Sequence, residues 1–182
     1  MSETGILLEG MSNIILKDKC LNLLNNVEAN YSFSEKPAAK NHHHNYKGGL
    51  DQHTKEVIQN ALKINKMLDR PFDEAEVMLV AFLHDLMKAY LYAFDSEGEI
   101  RIINFPCSGE AIVFRLCSRY GIVLSMEQMS AIEFAHGGWS TQANNKFIPQ
   151  SDLANLLHCA DLLSSTFGKT KNPNEGGEKV NG

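Results

Sequence analysis

Leu50 to Lys88 reads LDQHTKEVIQNALKINKMLDRPFDEAEVMLVAFLHDLMK, and its pattern decides the fold. Leu50, Val57, Ile58, Ala61, Ile64 and Leu68 recur at helical spacing, which predicts one amphipathic helix. Asp69-Arg70-Pro71 breaks it, because proline lacks a backbone donor and restricts the residue before it. Asp73, with Glu76 three residues on, predicts the start of a second helix running to about Lys88. His53 and His84 are 31 residues apart, and their midpoint falls between Leu68 and Asp69, beside the breaker. Each leg is then about 15 residues, or roughly 23 Å of helix. Folded antiparallel, the two helices set His53 level with the His84-Asp85 pair.

Outward from this hairpin the chain reads as mostly helical. Ile14, Ile15, Cys20, Leu21, Leu24 and Val27 form a helical stripe upstream, followed by a polar loop from Tyr31 to Gly49 punctuated by Pro37 and Gly48-Gly49. Downstream, Tyr92-Ala93-Phe94, a turn at Asp95-Ser96-Glu97-Gly98 and Ile100 to Ile103 predict a short β-hairpin within residues 90–105. Helices resume near Ser108 and at Ser125, where Ser125 and Gln128 have capping-box spacing, and a last helix covers Ser151 to Thr166. The expectation is an all-α single-domain helical bundle over residues 1–168 with that one hairpin. Residues 169–182, KTKNPNEGGEKVNG, are polar and Gly- and Asn-rich, and are expected to be a flexible tail.

Composition narrows the function classes. The 182 residues are 43% hydrophobic and 21% charged, as in a globular protein, and no apolar run is long enough for a membrane span. Seventeen basic against 22 acidic residues give a net charge of −5, which disfavours gripping long nucleic acid through charge. The start, Met1-Ser2-Glu3-Thr4-Gly5, lacks the basic region of a secretory signal. Cys20, Cys107, Cys117 and Cys159 include no CxxC pair and read as free thiols in a reducing, cytoplasmic setting. No GxxxxGK[ST] or GxGxxG run is present, so any phosphate would be held by side chains and metal rather than a glycine-rich cradle.

The imidazoles of His53 and His84 with the carboxylate of Asp85 suit a divalent transition metal: Mn, Fe, Co, Ni or Zn, with Mg as an alternative. Asp161 is the natural closing ligand, on a helix whose Leu153, Leu156, Leu157, Ala160 and Leu163 would dock it to the core. Buried there without a cation or donor, that carboxylate would be costly. His158 stands three residues before Asp161, as well placed for a structural pair as for ligation, and stays outside the set.

These residues, with the blocks around them, resemble the HD-domain metal-dependent phosphohydrolases, whose signature is H…HD…D. PAAKNHHHNYKGGLDQHT, from Pro37 to Thr54, is similar to the PA…HH…GGL…HT segment of the HD domains of bacterial 3′→5′ exoribonucleases and of relaxase-associated HD domains. LHDLMK at residues 83–88 resembles the HDxxK segment, and His136-Gly137-Gly138 followed by LHCAD at residues 157–161 resembles the later H-G…LHxxD segment. The resemblance implies His53, His84, Asp85 and Asp161 as ligands of one metal, and His136 as a second-metal or substrate-phosphate residue. Members with a second metal usually supply another histidine after the HD pair, and none lies between Lys88 and Ala135. The exoribonucleases also have an accessory nucleic-acid-binding domain, for which this chain is too short, so no processive nuclease is expected.

The chemistry then implied is hydrolysis of a phosphoester by water activated at the metal. Asp85 would orient that water, and Lys88, one turn past His84, would offset charge on the phosphoryl oxygens or else be a solvated lysine. His43 and His44 are candidate phosphate contacts or proton donors, on a loop that Gly48-Gly49 would let fold over the site; His42 is more expendable. Trp139 is a candidate for stacking on a base, with packing as the alternative. The expected substrate is a small nucleoside mono- or triphosphate, deoxynucleotides included. The alternatives are phosphodiester hydrolysis at short oligonucleotide 3′ ends or in cyclic nucleotides, and a non-catalytic HD-fold binding or regulatory module.

Overall fold

A computed structural model describes residues 2–69, 71–137 and 151–167. The elements run α1 (Glu3–Glu9), α2 (Ile14–Tyr31), a 3-10 turn (Phe33–Glu35), α3 (Gly49–Asn65), α4 (Glu74–Leu83), α5 (Lys88–Leu91), β1 (Tyr92–Phe94), β2 (Ile100–Ile102), α6 (Gly109–Arg119), α7 (Met126–Phe134) and α8 (Asp152–Phe167). The expected all-α architecture and its single hairpin are both present: β1 and β2 pair antiparallel, Tyr92 opposite Ile102 and Phe94 opposite Ile100. Asp95 ties the turn by accepting from the Glu97 and Glu99 amides. Trp139 and the tail 169–182 lie outside the described residues.

α4 is the central rod. Every residue from Val77 to Leu83 is buried, so the helix is apolar all round and sheathed on all sides. Each such Leu, Val or Phe contributes about 1.5–3 kcal/mol by leaving water. α3 packs against α4 on one side and α8 on the other, and α7 packs on α8. Asp73 caps α4 by accepting from the Ala75 and Glu76 amides. Its reciprocal half is missing, because the Glu76 carboxylate accepts instead from Gln128 on α7. The full capping box forms at Ser125 and Gln128.

Several local expectations are corrected. α1 has no counterpart in the periodicity reading: only seven residues long, it is anchored from outside, its Glu3 and Thr4 amides donating to the Asp51 carboxylate at 2.8 and 2.9 Å. Ile14 and Ile15 open α2 but face solvent, and its buried stripe is Cys20, Leu23, Leu24 and Val27. Leu163 is likewise largely exposed, the docking face of α8 being Leu153, Leu156, Leu157 and Ala160. α3 stops at Asn65, short of Leu68, and α4 stops at Leu83, short of Lys88. The Tyr31–Gly49 stretch is no solvated loop: Phe33, Ala38, His44 and Tyr46 are buried.

Candidate metal centre

Three helices and one turn meet around His53. It stands in the second turn of α3, while His84 caps the C-terminus of α4 and Asp85 follows in the turn before α5. Asp161 comes from α8. His53, His84 and Asp85 are fully buried, and Asp161 nearly so. His53 Nε2 lies 3.3 Å from His84 Nε2, 3.2 Å from Asp85 Oδ2 and 3.1 Å from Asp161 Oδ1. His84 Nε2 is 3.4 Å from the same Asp85 oxygen and 3.9 Å from the Asp161 oxygen. The structure thus brings all four side chains, drawn from three separate parts of the sequence, to one centre.

The outer ring nitrogens are spoken for. His84 Nδ1 donates to the Ala81 carbonyl at 2.7 Å, and His53 Nδ1 stands 2.9 Å from Ser164 Oγ. With those protons committed outward, both Nε2 atoms turn lone pairs toward each other and toward carboxylate oxygens. A cluster of acceptors facing acceptors is unfavourable unless a cation or a proton sits among them. Asp85 Oδ1 is buried without a hydrogen bond, although His136 Nε2 is 3.3 Å away. Two lone-pair atoms at that separation, not aligned for a hydrogen bond, have the spacing of ligands to a shared ion. His53, His84 and Asp161 therefore have the mutual spacing of ligands to a divalent cation, with Asp85 Oδ2 beside them, 3.2 Å from His53 Nε2.

His136 follows α7 and completes the ring, its Nδ1 3.2 Å from Asp161 Oδ2. Burial lowers the basicity of His53 and His136, but the adjacent Asp161 and Asp85 carboxylates outweigh it and raise both, His136 to about 10. Burial would raise Asp161 and Asp85; the imidazoles, and for Asp85 foremost the Lys88 ammonium, hold both carboxyls well below the ordinary range.

Lys88 is neither a solvated lysine nor aligned only with His84. Its ammonium lies 2.6 Å from Asp85 Oδ2, an i,i+3 pair with 15% of the lysine side chain exposed. His43 and His44 fold over the centre from the preceding loop, the His43 ring 4.7 Å and the His44 ring 5.3 Å from that of His53. His44 has no exposed surface, so it cannot touch a substrate directly; His43 is only half-buried. Burial, then the neighbouring His53 and Lys88 charges, push the His43 imidazole down to about 3, so it is neutral near pH 7. A β-carbon on Gly49 would lie 2.0 Å from the His44 carbonyl oxygen, which makes glycine there a requirement of the loop's close approach.

His158 is structural. Its Nδ1 donates to the Ala135 carbonyl at 2.9 Å, and a β-carbon on Gly137, at φ +54°, would lie 2.5 Å from its ring. It thereby seats the turn that holds His136. Two participants escaped the sequence reading, Glu56 and Ser164. The one available signal was spacing, since Glu56 is i+3 from His53 and Ser164 is i+3 from Asp161, each on its ligand's helix face.

The chain belongs to the HD-domain family, whose model, described as HD domain, matches residues 50–166. It is 33% identical over 143 residues to the dihydroneopterin 2′,3′-cyclic phosphate phosphodiesterase of Methanocaldococcus jannaschii, an alignment covering 76% of this chain and 55% of that protein. The chain thus spans about half the length of that curated relative. No solved structure matches it. Among the described residues, no helix is long and apolar enough to cross a membrane.

Proposed function

We propose that this protein is a metal-dependent phosphohydrolase acting on a phosphoester of a small nucleotide-type substrate. The observation that carries the reading is the convergence of His53, His84, Asp85 and Asp161 on one buried centre. A divalent ion held there, manganese among the first-row candidates, would act as a Lewis acid on a phosphoryl oxygen and supply hydroxide at neutral pH. Asp85 orients the attacking water through the oxygen not paired with Lys88. The Lys88 ammonium offsets charge on the phosphoryl oxygens, and His136 Nε2 donates to one of them where no second ion is held. Alternatively His136, as a neutral ring, is the residue for a second ion, beside the orphaned Asp85 Oδ1. His43 meets the substrate and His44 supports it from behind.

Of the finer readings, the relative named for a 2′,3′-cyclic phosphate favours a cyclic phosphodiester over nucleoside mono- or triphosphates. Oligonucleotide 3′ ends stay behind it, given the acidic net charge of −5. A purely regulatory HD-fold module is disfavoured because Lys88 is held against Asp85, where a scaffold needs no lysine. The free thiols Cys20, Cys107, Cys117 and Cys159 support a cytoplasmic setting.

The test is a metal-supplemented screen over 2′,3′-cyclic phosphates, other cyclic nucleotides, nucleoside mono- to triphosphates and short oligonucleotides. His84→Ala and Asp85→Ala should each abolish turnover in a protein that remains folded. Turnover at the wild-type rate by either variant refutes the reading. Release of inorganic phosphate from mononucleotides with no opening of cyclic phosphates would return the substrate to the monoester class.

A further inference from the structure

Behind the four converging side chains lies a hydrogen-bonded set built around one carboxylate. Glu56 follows His53 by one turn of α3. Its Oε2 accepts from Ser164 Oγ at 2.8 Å and lies 3.2 Å from His44 Nε2. Its Oε1 accepts from Gln52 Nε2 at 2.9 Å, and Gln52 is held in turn by the Tyr46 hydroxyl at 2.8 Å. Ser164 Oγ reaches His53 Nδ1, and His44 Nδ1 stands 3.1 Å from His43 Nδ1.

Counting protons orders this set. An ionised carboxylate only accepts, and a serine hydroxyl has a single proton to donate. Ser164 spends that proton on Glu56, so its oxygen can only accept from His53 Nδ1–H, which leaves His53 Nε2 bare. The other branch starts at His44, whose buried Nε2 has no aligned hydrogen-bond partner but stands 3.2 Å from Glu56 Oε2; the carboxylate's charge favours the proton on that nitrogen, which leaves Nδ1 as an acceptor for His43 Nδ1–H. His43 is then left with an accepting Nε2, suited to a hydroxyl or water proton rather than to a phosphate oxygen.

We propose that Glu56 is the positioning residue of this centre, fixing the ring tautomer of His53 through Ser164 and those of His44 and His43 directly and in series. The His53 branch rests on the metal reading above; the His44–His43 branch does not. Carboxylates that orient ligating imidazoles in this way typically change metal affinity by about 10–100-fold when removed.

The experiment pairs zinc-ion titration with long-range proton–nitrogen NMR of ¹⁵N-histidine-labelled protein, for wild type, Glu56→Ala, Glu56→Gln, Ser164→Ala and the Glu56→Ala/Ser164→Ala double variant. In wild type, His44 should be protonated on Nε2 and His43 on Nδ1, and Glu56→Ala should mix both tautomers. Glu56→Ala and Ser164→Ala should each weaken zinc binding by about 10–100-fold. The double variant should lose no more than the worse single, because both act on one path. Glu56→Gln keeps the shape and an accepting oxygen, guards against misfolding of the alanine variant, and should fall between it and wild type. Unchanged His44 and His43 tautomers in a folded Glu56→Ala protein, or additive losses of zinc affinity, overturn the proposal. A wild-type protein that binds no divalent ion would instead remove the proposed function, and the His44–His43 comparison would still decide the role of Glu56.

Discussion

Asn65 closes the turn between α3 and α4 by gripping Phe72 at both ends of its amide: Nδ2 donates to the Phe72 carbonyl at 2.9 Å, and Oδ1 accepts from the Phe72 amide at 2.8 Å. Asn65 is buried at the last position of α3, and the clasp ties the two helices that present His53 and His84 to each other. Asn65→Ala would strip two backbone groups of their partners, at a cost of about 1–3 kcal/mol. A lowered urea midpoint with unchanged m-value is expected; an unchanged midpoint would mean that water replaces both bonds.

Lys88 separates charge compensation from metal retention. Its ammonium touches Asp85 Oδ2 but offers no ligand atom while protonated, and the Asp85 carboxylate raises its pKa against the opposing effect of burial. On the proposed reading, Lys88→Ala should retain the bound ion and lower kcat by about 100-fold, the typical loss on removing one preorganised donor. Metal content and steady-state rates measured on the same sample decide it. Loss of the metal would reassign Lys88 to holding the site together.

Gly49→Ala addresses the loop. A new β-carbon 2.0 Å from the His44 carbonyl oxygen forces backbone apart, which flexible side chains cannot relieve. The His43–His44 segment should be displaced while His53, His84, Asp85 and Asp161 keep their ion. Zinc affinity near wild type with a fall in kcat/KM is the expected pattern, read by titration and initial rates. Full activity would show that the histidine loop takes no part in turnover.

Proton competition sets the pH dependence of metal binding. Before an ion binds, Asp161 and Asp85 raise His136 to about 10 and His53 above its ordinary value, so an incoming ion displaces a proton from His136 and competes with protons for His53. Affinity should therefore climb with pH across the neutral range and weaken in acid. Calorimetry in buffers of different ionisation enthalpy should register proton release on binding, and none released at pH 7 would contradict the assignment.

Cys20 and Cys117 are buried thiols pushed up to about 12, chiefly by desolvation. A thiol raised in the folded state keeps a proton that the unfolded chain, with a pKa near 9.0, has lost. Its contribution to stability is complete below pH 9.0 and declines as pH rises toward 12. Alkaline unfolding above pH 9.0 should thus be blunted in Cys20→Ala, and a thiol reagent at pH 8 should label exposed Cys159 well before either buried thiol.

Much of this was legible along the chain because the decisive signals are local. The Asp73 cap, the Ser125–Gln128 box and the Tyr92–Phe94 hairpin each depend on residues within a few positions of one another. α1 was invisible because seven residues hold a helix only with outside help, and that help is Asp51, 47 positions from Thr4. The solvent-facing Ile14, Ile15 and Leu163 misled the periodicity reading, since an apolar residue states a preference for burial but not which neighbour will supply it.

The amino-acid sequence alone settled the helical class, the hairpin of helices around the Asp-Arg-Pro break, and which imidazoles and carboxylates stand at matching heights. Those follow from rise per residue, capping and patterning, which short stretches of chain encode. Tertiary structure alone decided that Glu56 stands 3.2 Å from His44 and is linked through Ser164 to His53, and that Lys88 pairs with Asp85 rather than with water. Such choices turn on distances between groups up to 111 positions apart and on which of them lose their water, quantities that exist only after the helices have packed.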